Sequence, residues 1–157
     1  MAAEFSSNAI QTIASNASAI FTEAPVPCNR GLVYHRYGSG LFRLASPRLI
    51  GNFTRRCCCQ RMPYANYIVH FGGNVQIPTG GTVDEILMGI AVDGEIDPSS
   101  IRIVTPAAVE EFWNLNSEIV VSVPWICGCS SVSVRNLSTQ PIQLQNANMT
   151  ISFDGIR

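Results

Sequence analysis

The chain contains no lysine, has two histidines (His35 and His70), and draws only 13% of its 157 residues from the charged types. That is roughly half the charge of an ordinary soluble domain. A surface so poor in charge is covered by Ser, Thr, Asn and Gln, or is buried against partners. The shortage of histidine also limits chemistry. A cysteine or serine nucleophile needs a neighbouring base, yet both histidines fall inside strand patterns, where they read as core or surface residues. No serine lies in a Gly-x-Ser-x-Gly elbow, and Gly38-Ser39-Gly40 reads as a turn. No apolar run approaches the roughly 20 residues needed to span a bilayer as a helix. The N-terminus lacks a basic segment followed by an apolar core, so no Sec-type signal is expected. These absences point to a non-enzymatic protein that needs no cofactor and stays in the cytoplasm where it is made until a larger particle carries it out.

Charge of one sign is missing from whole stretches. No Asp or Glu occurs between Ala24 and Val83, where Arg30, Arg36, Arg43, Arg48, Arg55, Arg56 and Arg61 lie. From Asp84 to Glu118 the sign reverses, with Arg102 the lone cation. Pairing between the halves of one subunit is one reading, and opposite faces that help subunits or a host surface dock is the other. Arginine interleaved with Tyr34, Tyr37, Phe42, Phe53, Tyr64 and Tyr67 suits single-stranded nucleic acid. The net charge of −1 gives no basic domain, which argues against that partner.

What is present is β-patterning. Val69, Phe71, Val75 and Ile77 alternate around Gly72-Gly73, and Ile119, Val121 and Val123 alternate farther on. Val132 with Val134, Ile142 with Leu144, and Met149, Ile151 and Phe153 repeat the pattern. Period-two runs mark half-buried strands, and many short ones mark a sandwich or barrel. Further strands are expected at 32–35, 41–44, 86–92 and 101–105, with turns at Thr79-Gly80-Gly81 and Asp93-Gly94. Pro25 and Pro27 confine their segment to an edge or a turn. Pro106 to Leu115 is the one helix candidate, since Pro suits a first turn and Ala and Glu suit a helix. Residues 1–18, rich in Ala, Ser and Asn, read as an N-terminal arm or anchor, although a short helix or edge strand fits as well. Residues 19–157 read as one domain.

Six cysteines are the strongest metal signal. In strands, Cys57 and Cys59 share a face, as do Cys127 and Cys129. Four thiolates from neighbouring strands would hold a tetrahedral zinc, but the spacing is not the familiar two-residue gap. Buried thiols or disulfides are the plainer reading, of unreadable connectivity. Asp93, Glu95 and Asp97 fail as a helix-loop-helix calcium site, because Pro98 and Val104 replace the required glycine and glutamate. Glu110, Glu111 and Glu118 prove no paired-carboxylate site without a cleft. The glycosylation triplets at Asn16, Asn52, Asn136 and Asn148 fall to chance in a chain so rich in Asn, Ser and Thr.

Several motifs carry a resemblance across residues 9–153. They include Pro27-Cys28-Asn29-Arg30-Gly31, Val75-Gln76-Ile77-Pro78-Thr79-Gly80-Gly81-Thr82, and Ala91-Val92-Asp93-Gly94-Glu95. Val104 to Glu111 and the tail from Val134 to Asn148 extend it. The chain resembles a family of small jelly-roll proteins from Firmicutes and their phages, similar to the trimeric TNF-like heads that cap collagen-like spore-surface filaments. The resemblance implies an all-β TNF-like jelly roll of about eight to ten strands, with at most one short helix near 106–115, assembled as a homotrimer. No collagen repeat accompanies it, which favours a stand-alone particle component. The expectation is therefore a phage capsid decoration protein, made in the bacterial host cytoplasm and carried in the virion, bound to the major capsid protein or another virion protein. The alternative is a carbohydrate- or host-surface-binding head of a phage fibre or spore filament, which an exposed Trp113 or Trp125 on a concave face would favour.

Overall fold

The computed structural model describes residues 2–28, 31–46, 64–124 and 128–156. In chain order the strands are β1 (Ala2–Ser7), β2 (Gln11–Ile13), β3 (Glu23–Val26), β4 (Val33–His35), β5 (Phe42–Ala45) and β6 (Tyr64–Gln76). They continue as β7 (Ile86–Val92), β8 (Glu95–Ile96), β9 (Arg102–Val104), β10 (Trp113–Pro124), β11 (Cys129–Asn136) and β12 (Ile142–Ile156). Two antiparallel sheets result. One runs β10-β6-β12-β1-β3 with β2 against β12, and the other runs β4-β5-β11-β7-β8 with β9 against β7. They pack face to face as a β-sandwich, the arrangement that alternating apolar strands require. Among the described residues β2 and β8, of three and two residues, carry the strand count past the expected range.

The inward residues of β6, β10 and β12 are the alternating set expected from the sequence: Val69, Phe71, Ile119, Val121, Val123, Met149 and Ile151 are all buried. The Gly72-Gly73 bend takes the form of a bulge on the partner strand. Asn146 and Ala147 of β12 together face Gly73, and Asn146 adopts a φ of 52°. A Cβ on Gly73 would stand 2.7 Å from Leu144 Cδ1, so any larger residue would force that side chain to shift. The Asp93-Gly94 turn has φ values of 51° and 92°, the positive pair that a tight hairpin between β7 and β8 demands. Pro25 lies in β3, at the edge of its sheet, where a missing N–H costs no ladder bond.

One expectation is corrected. The 106–115 segment forms no helix, and no α-helix occurs among the described residues. Glu111 turns its carboxylate back onto the Ala107 and Ala108 N–H groups at 2.9 and 3.3 Å. Glu110 then takes a φ of 62° while its N–H donates to the Ile77 carbonyl, so the chain leaves helical geometry within one turn. Tertiary pairing overrides local propensity here. The 1–18 segment is built into the sandwich: β1 pairs with β12 from Ala2↔Ser152 to Ser7↔Ala147 and with β3 on its other side. No helix among the described residues is long and apolar enough to cross a membrane.

Tyr67 shows how the core resists ionisation. It is fully buried, its ring meets Phe153 edge-on at 5.5 Å, and its hydroxyl donates to the Ala45 carbonyl. Burial first, and the electrostatic influence of Cys28 second, push its pKa from 10.0 up to about 12. A raised pKa means that the phenol's stabilisation is complete below the unfolded value and is lost as pH climbs through the folded one. The unfolding free energy of the wild type relative to Tyr67→Phe, from urea titrations, should fall by about 2 kcal/mol from about pH 9 to about pH 12. A constant difference between the two proteins across that range would contradict the burial argument.

Candidate functional site

Alternation places one residue set of the β10-β6-β12-β1-β3 sheet in the core and the other on an outer face. Register sets the rows of that face. Glu118, His70, Thr150 and Glu4 lie side by side across β10, β6, β12 and β1. Val120, Ile68, Ser152 and Ala2 form the adjacent row. Val120 is 64% exposed, the most exposed aliphatic side chain described, while Ile68 beside it is half-buried.

Side-chain amides and hydroxyls bridge the strands around these rows. Asn148 Nδ2 donates to Glu4 Oε1 at 2.8 Å, Ser122 Oγ to Asn66 Oδ1 at 2.7 Å, and Asn114 Nδ2 to Asn74 Oδ1 at 3.3 Å. Cross-strand pairs of this kind hold short side chains flat against the sheet. Glu4, Glu118 and His70 are the titratable groups of the two rows, and no arginine lies in either. The result is a weakly charged surface on which Val120, Ile68 and Ala2 share a row with Ser152. It can bury area against a similar surface.

Of the candidate zinc ligands, Cys57, Cys59 and Cys127 lie outside the described residues, as do Cys58, Trp125 and most of the arginine-rich segment. Cys129 is an exposed free thiol with the Arg43 guanidinium 4.0 Å from its sulfur. Among the described residues no three of His, Cys, Asp and Glu gather as a metal site. Asp93 serves its turn, accepting the Ser131 N–H at 2.6 Å, and Asp97 accepts the Ser99 N–H at 2.8 Å to cap the short 3-10 turn at Pro98–Ser100. Glu110 accepts from the Thr79 hydroxyl, and Glu118 stands apart from Glu110 and Glu111 on the outer sheet face. Trp113 begins β10 and is 41% exposed. Asn136, one of the glycosylation triplets, is wholly buried. The outer rows were missed in the sequence because Asn, Ser and Thr at alternate positions signal only a wet face, and only register shows which of them become neighbours.

No family model and no curated protein matches the chain. Among solved structures, the chain is similar to the globular domain of zebrafish complement 1qA protein, with 10% identity, a TM-score of 0.53, and 98% of this chain and 97% of that chain covered. That likeness shows the fold. The fold is a jelly-roll β-sandwich like that of the complement 1qA globular domain. A family 35 carbohydrate binding module from Clostridium thermocellum matches more distantly, at 14% identity and a TM-score of 0.35 over 93% of this chain and 90% of that one.

Proposed function

We propose that the chain is a non-enzymatic structural protein of a virus particle, a homotrimeric jelly roll that decorates the outer surface of a phage capsid. The observation that carries this reading is the outer face of the β10-β6-β12-β1-β3 sheet. Its rows hold exposed Val120 and Ala2 beside short polar side chains, with a single imidazole and two carboxylates. Weakly charged and partly apolar surfaces suit subunit packing better than free solvation. The resemblance to trimeric TNF-like heads supplies the three-fold arrangement. Bound to the major capsid protein or another virion protein, such a trimer would stabilise the assembled shell by mass action, since it binds the shell and not its separated subunits.

Sedimentation at micromolar concentration should give a trimer, and mass spectrometry of purified virions should find the protein. A monomer in solution together with its absence from virions would overturn the proposal. Val120→Glu places a charge in the apolar row of the face without touching the core. It should shift the trimer to monomer at least tenfold in concentration while leaving the far-ultraviolet β signal unchanged. An unchanged assembly constant would remove this face from the interface.

A further inference from the structure

Beside the edge strand β3 the sandwich opens into a cleft of about 240 Å3. Its lining includes Phe5 of β1, Glu23 of β3, Tyr34 and His35 of β4, and Tyr37 from the turn after β4. Tyr34 and Tyr37 are 63% and 79% exposed. The Tyr37 ring, left in water on the turn beside the concavity, is available to a ligand.

The floor behind it is fixed. His35 stacks on the fully buried Phe42 at 4.4 Å and 18°, and Phe5 meets Phe42 edge-on at 4.9 Å. The His35 Nε2 lies 2.9 Å from the Ser39 carbonyl. A carbonyl oxygen can only accept, so neutral His35 carries its proton on Nε2 and keeps Nδ1 as an acceptor. Glu23 receives the Ser6 hydroxyl at 3.2 Å and the Asn8 amide at 3.5 Å, both on Oε2, which leaves Oε1 as a second acceptor. No arginine is among the described residues that line the cleft, so an anion finds no counter-charge there. The volume falls below the range of about 300–1,000 Å3 typical of drug-sized ligands.

An exposed aromatic ring, an excess of acceptors and a small volume suit a ligand with one C–H face and several hydroxyl donors. We propose that this cleft binds a single pyranose unit of a glycan. Its C–H face lies against the Tyr37 ring, and its hydroxyls donate to Glu23 and His35. The site is built from one chain alone and does not depend on the assembly proposed above.

Proton NMR of the full chain titrated with methyl hexopyranosides and N-acetylglucosamine tests it, with choline in a parallel arm. A sugar should produce saturable shifts of tyrosine ring resonances. Tyr37→Ala and the nearly isosteric Glu23→Gln should each weaken that binding at least tenfold, while Ile103→Ala, an exposed position on β9, leaves it unchanged. Absence of saturable binding by any sugar, saturation by choline alone, or wild-type affinity in Tyr37→Ala would overturn the proposal. Sedimentation of the same samples separates the two ideas. A monomer that binds sugar would refute the trimer and keep the site, and a trimer that binds none would do the reverse.

Discussion

Phe42→Ala should lose about 3–5 kcal/mol of unfolding free energy, the usual cost of truncating a buried phenylalanine. Phe42 is fully buried on β5 and is the hub of an aromatic cluster. Phe5 meets it edge-on at 4.9 Å, Phe21 edge-on at 5.2 Å, and His35 stacks on it at 4.4 Å. Phe5 comes from one sheet and Phe42 and His35 from the other, so the cluster joins the two layers. Removing the ring leaves a cavity that three neighbours cannot fill without leaving their own contacts. His35 would lose its support as well, and the cleft would lose its floor. Urea unfolding followed by tryptophan fluorescence, at one fixed protein concentration so that assembly does not enter the comparison, measures the effect. Phe42→Leu keeps more of the volume and should cost clearly less. A loss below about 1 kcal/mol in the alanine variant would mean that the cluster does not bind the layers together.

Asn136→Ala is expected to be comparably severe for a different reason. Asn136 is wholly buried at the end of β11. Its Nδ2 donates to the Ile13 and Gln140 carbonyls, each at 3.0 Å, and its Oδ1 accepts the Ser138 N–H at 2.9 Å. One side chain thereby ties β2 to the β11–β12 connection. Its own backbone adds two bonds, to Ala17 and Asn16, at 3.0 and 2.8 Å. Alanine would orphan three backbone groups, at roughly 1–3 kcal/mol each where water cannot reach them. A total loss of about 3–5 kcal/mol follows, since some rehydration is expected at the chain turn. Amide exchange should localise the damage, with the Ile13-to-Ala17 segment losing protection before β6 does. Uniform loss of protection across the sandwich would refute the local role given to this side chain.

Much of the architecture was legible before any coordinates. The long strands around Val69 to Ile77, Ile119 to Val123 and Met149 to Phe153 follow from period-two burial, which has no other economical solution in water. The 32–35 and 41–44 segments pair as expected, with Val33 opposite Leu44. The failed helix at 106–115 shows the limit. Its composition is helical, yet Glu110 and Glu111 spend their polar groups on Ile77, Thr79, Ala107 and Ala108. Those are partners that propensity cannot anticipate. For residues 1–18 the sequence left arm, short helix and edge strand open, and the flanking β12 and β3 make residues 2–7 a strand.

The alternation of apolar residues determined by itself that this is an all-β chain. This is a local property, carried by residue identity and spacing. Tertiary structure alone decided which residues become neighbours. The row of Glu118, His70, Thr150 and Glu4 joins residues from four strands far apart in sequence, and the cleft joins Phe5, Glu23, Tyr34 and His35 from three. Register and sheet order create both, and they are set by the packing of the whole core, where a slip of one residue would turn each row to the other face.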